Sequence, residues 1–234
     1  MLSGYSFRPR LWAAALAATA CAAAIALGIW QAQRAGEKRT LGARLDEEMR
    51  SAPIELASRT VEPGELALKH VVASGRFLPE HTVYLDNKLR RGRPGYEVVT
   101  PLRLNGVHVL VNRGWVPAGR TRAELPEVPT PRGPVRVEGL ALERLPRVLE
   151  AGPATGTKLR QNLEIESFAQ ETGLSLQPIV IEQHSPAADG LARDWPRPDA
   201  GIEKHQAYSL QWYSLAGLAL ALFIVLSFRR VEPA

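Results

Sequence analysis

Hydrophobic positions follow three different patterns along this chain. Leu11 to Trp30 (LWAAALAATACAAAIALGIW) and Tyr208 to Phe228 (YSLQWYSLAGLALALFIVLSF) are continuous apolar runs without a charged residue. At ~1.5 Å per residue, runs of this length cover about 30 Å, the thickness of a bilayer's hydrocarbon. Trp12 and Trp30 stand near the two ends of the first run, and Tyr208, Trp212 and Tyr213 crowd the start of the second. Indole and phenol rings favour the headgroup boundary, so both runs read as transmembrane helices. A cleavable signal peptide has a shorter apolar region of about 7–15 residues. A lipoprotein signal would turn polar after Cys21, whereas the residues that follow stay apolar as far as Trp30.

Between the runs the pattern changes twice. Glu37–Arg50 (EKRTLGARLDEEMR) carries Leu41, Leu45 and Met49 at four-residue spacing, a helix that continues the first span outward and stops before Pro53. From there the apolar positions alternate. Lys69–Leu78, Thr82–Leu85, Gly95–Leu104 and Val107–Val111 read as strands, with Asn105-Gly106 a tight hairpin turn between the last two. Further strands are expected at Val135–Leu142, Lys158–Gln161 and Gln177–Glu182, and a short helix at Glu164–Glu171 closed by Gly173. Pro117–Pro134 and His184–Gly201, rich in Pro, Gly and charge, read as surface loops. The expected fold is a membrane protein in which two transmembrane α-helices flank a mostly antiparallel, barrel- or sandwich-like α+β domain outside the cytoplasm. Its segments are an amino terminus of residues 1–10, spans at 11–30 and 208–228, a domain at 31–207 and a carboxyl terminus of residues 229–234.

Charge sharpens the topology. The chain carries a formal +5. More than half of that surplus sits at the ends, as Arg8, Arg10, Arg229 and Arg230 against Glu232 alone. The middle is nearly neutral, which argues against a nucleic-acid module. Arginines just outside both spans predict that both termini face the cytoplasm and that the central domain lies in a periplasm-like space. The cations Arg34, Lys38 and Arg39 oppose this orientation, but they open a long segment, and such segments are weakly governed by charge. Cys21, the sole cysteine, rules out an internal disulfide framework or a multi-cysteine metal site.

Enzyme motifs are missing from the sequence. It has no phosphate-cradling glycine loop, no nucleophile elbow, no two-histidine zinc helix and no aspartate-rich calcium loop. His70, His81, His108, His184 and His205 are scattered singly. A membrane-anchored hydrolase would need a nucleophile with a base, and no motif supplies one. The informative residues lie at the membrane boundary. Gln31, Arg34 and Lys38 share a helix face beyond Trp30, as headgroup anchors or as a docking surface for an anionic group. His205, Tyr208 and Trp212 share a face where the chain enters the second span. They form either an interfacial histidine beside an aromatic belt or an iron ligand flanked by rings suited to a flat macrocycle. In the second reading Met49 or another protomer would supply the sixth ligand. Gly95-Tyr96 and Asn112-Arg113-Gly114-Trp115 read as turn and core packing, or else Arg113 and Trp115 face a partner or a propionate.

Three segments, in order, resemble the Surfeit-locus family of cytochrome c oxidase assembly factors. Leu27-Gly28-Ile29-Trp30-Gln31-Ala32-Gln33-Arg34 with Lys38 is similar to the family's LGxWQxxRxxxK signature at the exit of the first span. Gly95–Leu102 and Val109–Pro117 resemble its central strand pair. His205, Tyr208 and Trp212-Tyr213 resemble the histidine–aromatic start of its second span. The resemblance implies a non-enzymatic role in maturing the haem–copper oxidase: transient binding of haem a and delivery to subunit I, beside other oxidase assembly factors. It implies His205 as the iron ligand, Tyr208 and Trp212 lining that site, and Trp30, Gln31 and Arg34 on the opposing face of the first span. The alternative is a cofactor-free scaffold that grips an oxidase intermediate. A short amino terminus implies a bacterial member in the inner membrane rather than a mitochondrial one.

Overall fold

A computed structural model describes residues 5–56, 60–119, 124–148 and 158–230. It divides into two compact units, residues 1–44 with 196–234 and residues 45–195.

The first unit is an antiparallel helical hairpin. Helix α1 runs Leu11–Glu48 and helix α3 runs Ile202–Ser227, while α2 (Ile165–Thr172) belongs to the other unit. The outward extension expected beyond Trp30 is therefore continuous with the first span, and the helix stops short of Pro53. The second helix begins earlier than the apolar run, at Ile202, so His205 lies inside its first turns. It stops one residue sooner as well. Phe228 is extended because Phe228–Arg230 (β10) pairs antiparallel with Tyr5–Phe7 (β1), and the Phe7 and Phe228 rings meet edge to face at 5.4 Å. This clasp satisfies backbone groups that a frayed helix end would leave open. No period announces it in so short a stretch.

The second unit is a barrel. Its strands are Ile54–Glu55 (β2), His70–Phe77 (β3), Val83–Arg90 (β4), Arg93–Arg103 (β5), His108–Pro117 (β6), Val135–Leu142 (β7), Leu159–Arg160 (β8) and Leu176–Gln183 (β9). Pairing runs β2-β3-β7-β9-β6-β5-β4-β8, and an added β3–β5 contact closes β3, β7, β9, β6 and β5 into a ring. A ring with an odd number of strands must contain a parallel pair, and β6–β9 is that pair. The other ring contacts are antiparallel. Asn105-Gly106 makes the expected turn, with Leu104 N–H donating to the Val107 carbonyl at 2.9 Å. Helix α2 spans Ile165–Thr172 and ends on Gly173 in the left-handed region, as its sequence implied.

Burial explains why some strands lack a clean alternation. Val109, Val111, Ile179 and Ile181 point into one core cluster with Val71, Ala73, Phe77, Leu102 and Val137. Leu110 and Val180 point the other way, into a layer closed by Phe168 of α2. Strands β6 and β9 are thus covered on both faces, which favours continuous apolar runs. Strand β4 outlasts its expected end at Leu85. An irregularity between Leu85 and Lys88, with Asn87 at φ 62°, breaks the alternation while pairing with β5 resumes beyond it. Strand β6 likewise continues past Val111, because its polar residues are buried rather than solvated.

Candidate functional site

The face that joins the two helices is built from small and polar residues at three- and four-residue steps. On α1 these are Cys21, Ala24, Gly28, Gln31, Ala35, Lys38 and Gly42, and on α3 they are His205, Ser209, Trp212 and Ala216. A heptad of this kind holds a left-handed helix pair, and small side chains bring the backbones close, as suits helices without a hydrophobic driving force between them. The hydrogen bonds confirm the register. Ser209 Oγ donates to the Gly28 carbonyl at 2.9 Å, Cys21 Sγ to the Ala216 carbonyl at 3.3 Å and Lys38 Nζ to the Ala200 carbonyl at 3.0 Å. A side chain at position 28 would collide with the Tyr213 ring, 2.6 Å from where its Cβ would stand. Cys21, Ala24, Gly28, Ser209, Trp212 and Ala216 of this heptad lie within the apolar runs, where its period had no polar contrast.

His205 sits in this seam. Its Nδ1 lies 2.7 Å from Gln31 Oε1, and an amide oxygen can only accept, so the imidazole donates from Nδ1. That bond selects the tautomer whose Nε2 carries a free lone pair, the arrangement found where a neutral histidine ligates a metal. Trp30 and Arg34 lie one step to the side of Gln31 on α1, and Tyr208 holds the equivalent step from His205 on α3. Equivalent steps fall on the same flank of an antiparallel pair. Trp30 and Tyr208 are 51% and 52% exposed, and Trp212 is half-buried. The hairpin therefore brings Gln31 and His205 into contact and gathers Trp30, Arg34 and Tyr208 on one side of them. Arg34 donates to Glu37 at 2.8 Å along its own helix. Lys38 is drawn to a carbonyl in the seam, so Gln31, Arg34 and Lys38 do not form one cationic face.

These residues fit an iron-bearing macrocycle from one side. They supply a ring nitrogen turned away from Gln31, exposed aromatic surface and a guanidinium on the same flank. Among the described residues no group of three His, Cys, Asp or Glu side chains could hold a metal ion, so His205 is a single donor.

The other candidate chemistry lies in the barrel, where the structure bears out core packing and excludes the alternative reading of Arg113 and Trp115. Arg113 faces neither a partner nor a propionate: it is 1% exposed. Its guanidinium donates to Asp189 at 3.1 Å, to Thr130 Oγ1 at 2.8 Å and to the Pro129 carbonyl at 2.7 Å, and it stacks 4.9 Å from the Phe77 ring. Burial pushes the guanidinium below its usual range and the Asp189 charge opposes that shift. Trp115 is buried too, donating from Nε1 to the Lys88 carbonyl at 2.8 Å. Beside it Glu97 accepts from Asn112 at 3.1 Å and Arg90 at 3.3 Å, with Lys88 at 3.8 Å. Glu97 and Asp189 were not singled out by sequence: Glu97 finds Lys88, Arg90 and Asn112 on other strands, and Asp189 reaches Arg113 on β6 besides Arg193 in its own loop. The GYE and NRGW motifs are thus a buried polar framework across β5 and β6.

Comparison with known proteins places this geometry. The sequence model of the SURF1 family matches residues 18–217. The chain belongs to the SURF1 family. The mouse protein named Surfeit locus protein 1 is 30% identical over 230 residues, covering 89% of this chain and 74% of its own length. Its human counterpart is 29% identical, covering 82% and 70%. A SURF1-like protein of Rickettsia felis is 25% identical, covering 86% of this chain and 90% of its own. SURF1 proteins are cytochrome oxidase assembly factors. The two helices are also those of a membrane protein. Both are long and apolar enough to cross a bilayer, and only 11% of each apolar window is buried within the protein. Leu210, Val225 and Leu226 stand among the exposed side chains, a surface too apolar to be left to water.

Proposed function

We propose that this SURF1 protein binds haem a transiently at His205 and aids its insertion into subunit I of the haem–copper oxidase. The observation that carries the reading is the Gln31–His205 hydrogen bond at 2.7 Å, which leaves Nε2 as the nitrogen available to iron. Trp30, Tyr208 and Trp212 would line the macrocycle, and Arg34 stands within the same group as a counter-charge for propionates. When bound, haem would supply an iron centre and no reaction of its own. The protein's part is to hold a molecule too apolar to travel free and to release it to a destination also in the bilayer, so the role is that of a chaperone and not of an enzyme. The orientation follows the arginines. Arg8, Arg10, Arg229 and Arg230 gather at the β1–β10 end of the hairpin, which supports cytoplasmic termini and a periplasmic barrel in a bacterial inner membrane.

The test is the visible spectrum of the full chain purified from cells that make haem a. The wild type is expected to carry a haem a band, His205→Ala to lose it, and Gln31→Leu to retain it weakly with an altered line shape. Unchanged haem content in His205→Ala would overturn the assignment. A colourless wild-type protein that still co-purifies with oxidase subunits would replace it with the cofactor-free scaffold.

A further inference from the structure

The clasped end of the helical hairpin carries a groove that no part of the oxidase role uses. It has a volume of ≈ 520 Å³ and runs between α1 and α3 on the flank shared by Trp30 and Tyr208. Leu16 and Ala20 form one wall, Leu222 and Leu226 the other. Their exposure is high, reaching 75% at Leu226. At its mouth stand Arg8, Arg10 and Arg229. Among the described residues none of the three meets an acidic side chain.

The mouth is held in place by backbone. Ser6 pairs with Arg229 and Phe7 with Phe228, and Arg8 N–H donates to the Ser227 carbonyl at 2.8 Å. The backbone thus keeps Arg8 and Arg229 beside one end of an apolar furrow, with Arg10 next to them at the start of α1.

The geometry points to a binding site for one anionic glycerophospholipid, its phosphate at Arg8, Arg10 and Arg229 and an acyl chain along Leu16, Ala20, Leu222 and Leu226. A free phosphate would leave the walls uncovered, and a zwitterionic lipid would leave the guanidinium charge unbalanced. The volume lies within the range of small-molecule sites. Basic pockets between helices at the cytoplasmic boundary are suited to such headgroups. The inference rests on the helices crossing the membrane and is independent of haem.

The test uses the full chain in non-ionic detergent, titrated with phosphatidylglycerol or with phosphatidylcholine of the same acyl chains, with bound lipids counted by native mass spectrometry. Phosphatidylglycerol is expected to bind about tenfold more tightly than phosphatidylcholine. The triple variant Arg8→Gln/Arg10→Gln/Arg229→Gln should bring the two to equality. Ala20→Phe fills the furrow with every charge intact and should weaken phosphatidylglycerol binding as well. Equal binding of the two lipids by the wild type would overturn the site. So would undiminished phosphatidylglycerol binding by Ala20→Phe, which would show attraction to a basic end without a groove. Circular dichroism of each variant confirms the helical hairpin, and wild-type haem content, unaffected by either result, separates this site from His205.

Discussion

Replacing Glu97 by alanine should destabilise the barrel more than any exposed ion pair could. Lys88, Arg90 and Glu97 are all less than a tenth exposed, and Glu97 is the acidic member of the cluster. Removing one partner of a buried pair costs about 3–5 kcal/mol, because the remaining charge stays out of water. Here Lys88 still donates to the Pro146 carbonyl at 3.0 Å and Arg90 to the Asp194 carbonyl at 2.6 Å, so the low end, about 3 kcal/mol, is expected. Glu97→Gln keeps the shape but loses the charge and one of the two acceptor oxygens, setting an amide N–H against Arg90 or Asn112, for about 2 kcal/mol. Urea unfolding of the full chain in detergent can be followed by tryptophan fluorescence. Trp115 donates to the Lys88 carbonyl and Trp195 lies 5.2 Å from Arg90, so both report on this cluster. With a slope of about 2 kcal/mol/M, Glu97→Ala should lower the midpoint by about 1.5 M. Adding Lys88→Met to Glu97→Gln should offset part of the loss, since it removes a cation left without its partner. A loss below about 1 kcal/mol in Glu97→Ala would sink the electrostatic reasoning. So would a double variant that simply sums two penalties.

Two further predictions follow from the barrel. A Cβ at Gly139 would stand 1.9 Å from the Glu182 carbonyl oxygen, backbone of the paired strand β9, so Gly139→Ala should cost more than the about 1–3 kcal/mol of ordinary overpacking. Gly133→Ala meets nothing within 4 Å and serves as the control in the same urea titration; equal behaviour of the two would refute the packing argument. Tyr84 is buried and donates to the Pro126 carbonyl at 2.8 Å, and burial raises its pKa. A raised pKa means stability that is complete below the unfolded value near 10 and is lost as pH rises through the folded value. Tyr84→Phe should therefore cost about 1 kcal/mol at pH 7 yet narrow its deficit in alkaline urea titrations, and a deficit independent of pH would refute the assignment.

Some of this protein was legible in its residues alone. The two spans, the helix continued beyond Trp30, the Asn105-Gly106 turn, the Gly173 stop and most strand cores are local: each follows from a run, a period or a turn residue within a few positions. Family membership was legible too, because Trp30, Gln31, the Gly95–Leu102 strand and His205 stand in a fixed order. What the sequence could not reveal were the properties that belong to pairs distant in the chain. Ring closure depends on Phe77 meeting Leu102, and the fate of Arg113 on Asp189 in a loop far downstream. Periodicity describes one element against water, whereas β6 has protein on both faces and buries Asn112 and Arg113 among partners brought by other segments. For the same reason the spacing of His205, Tyr208 and Trp212 carried only possibilities. What the antiparallel seam added is the contact of Gln31 with His205 Nδ1, between residues 174 positions apart.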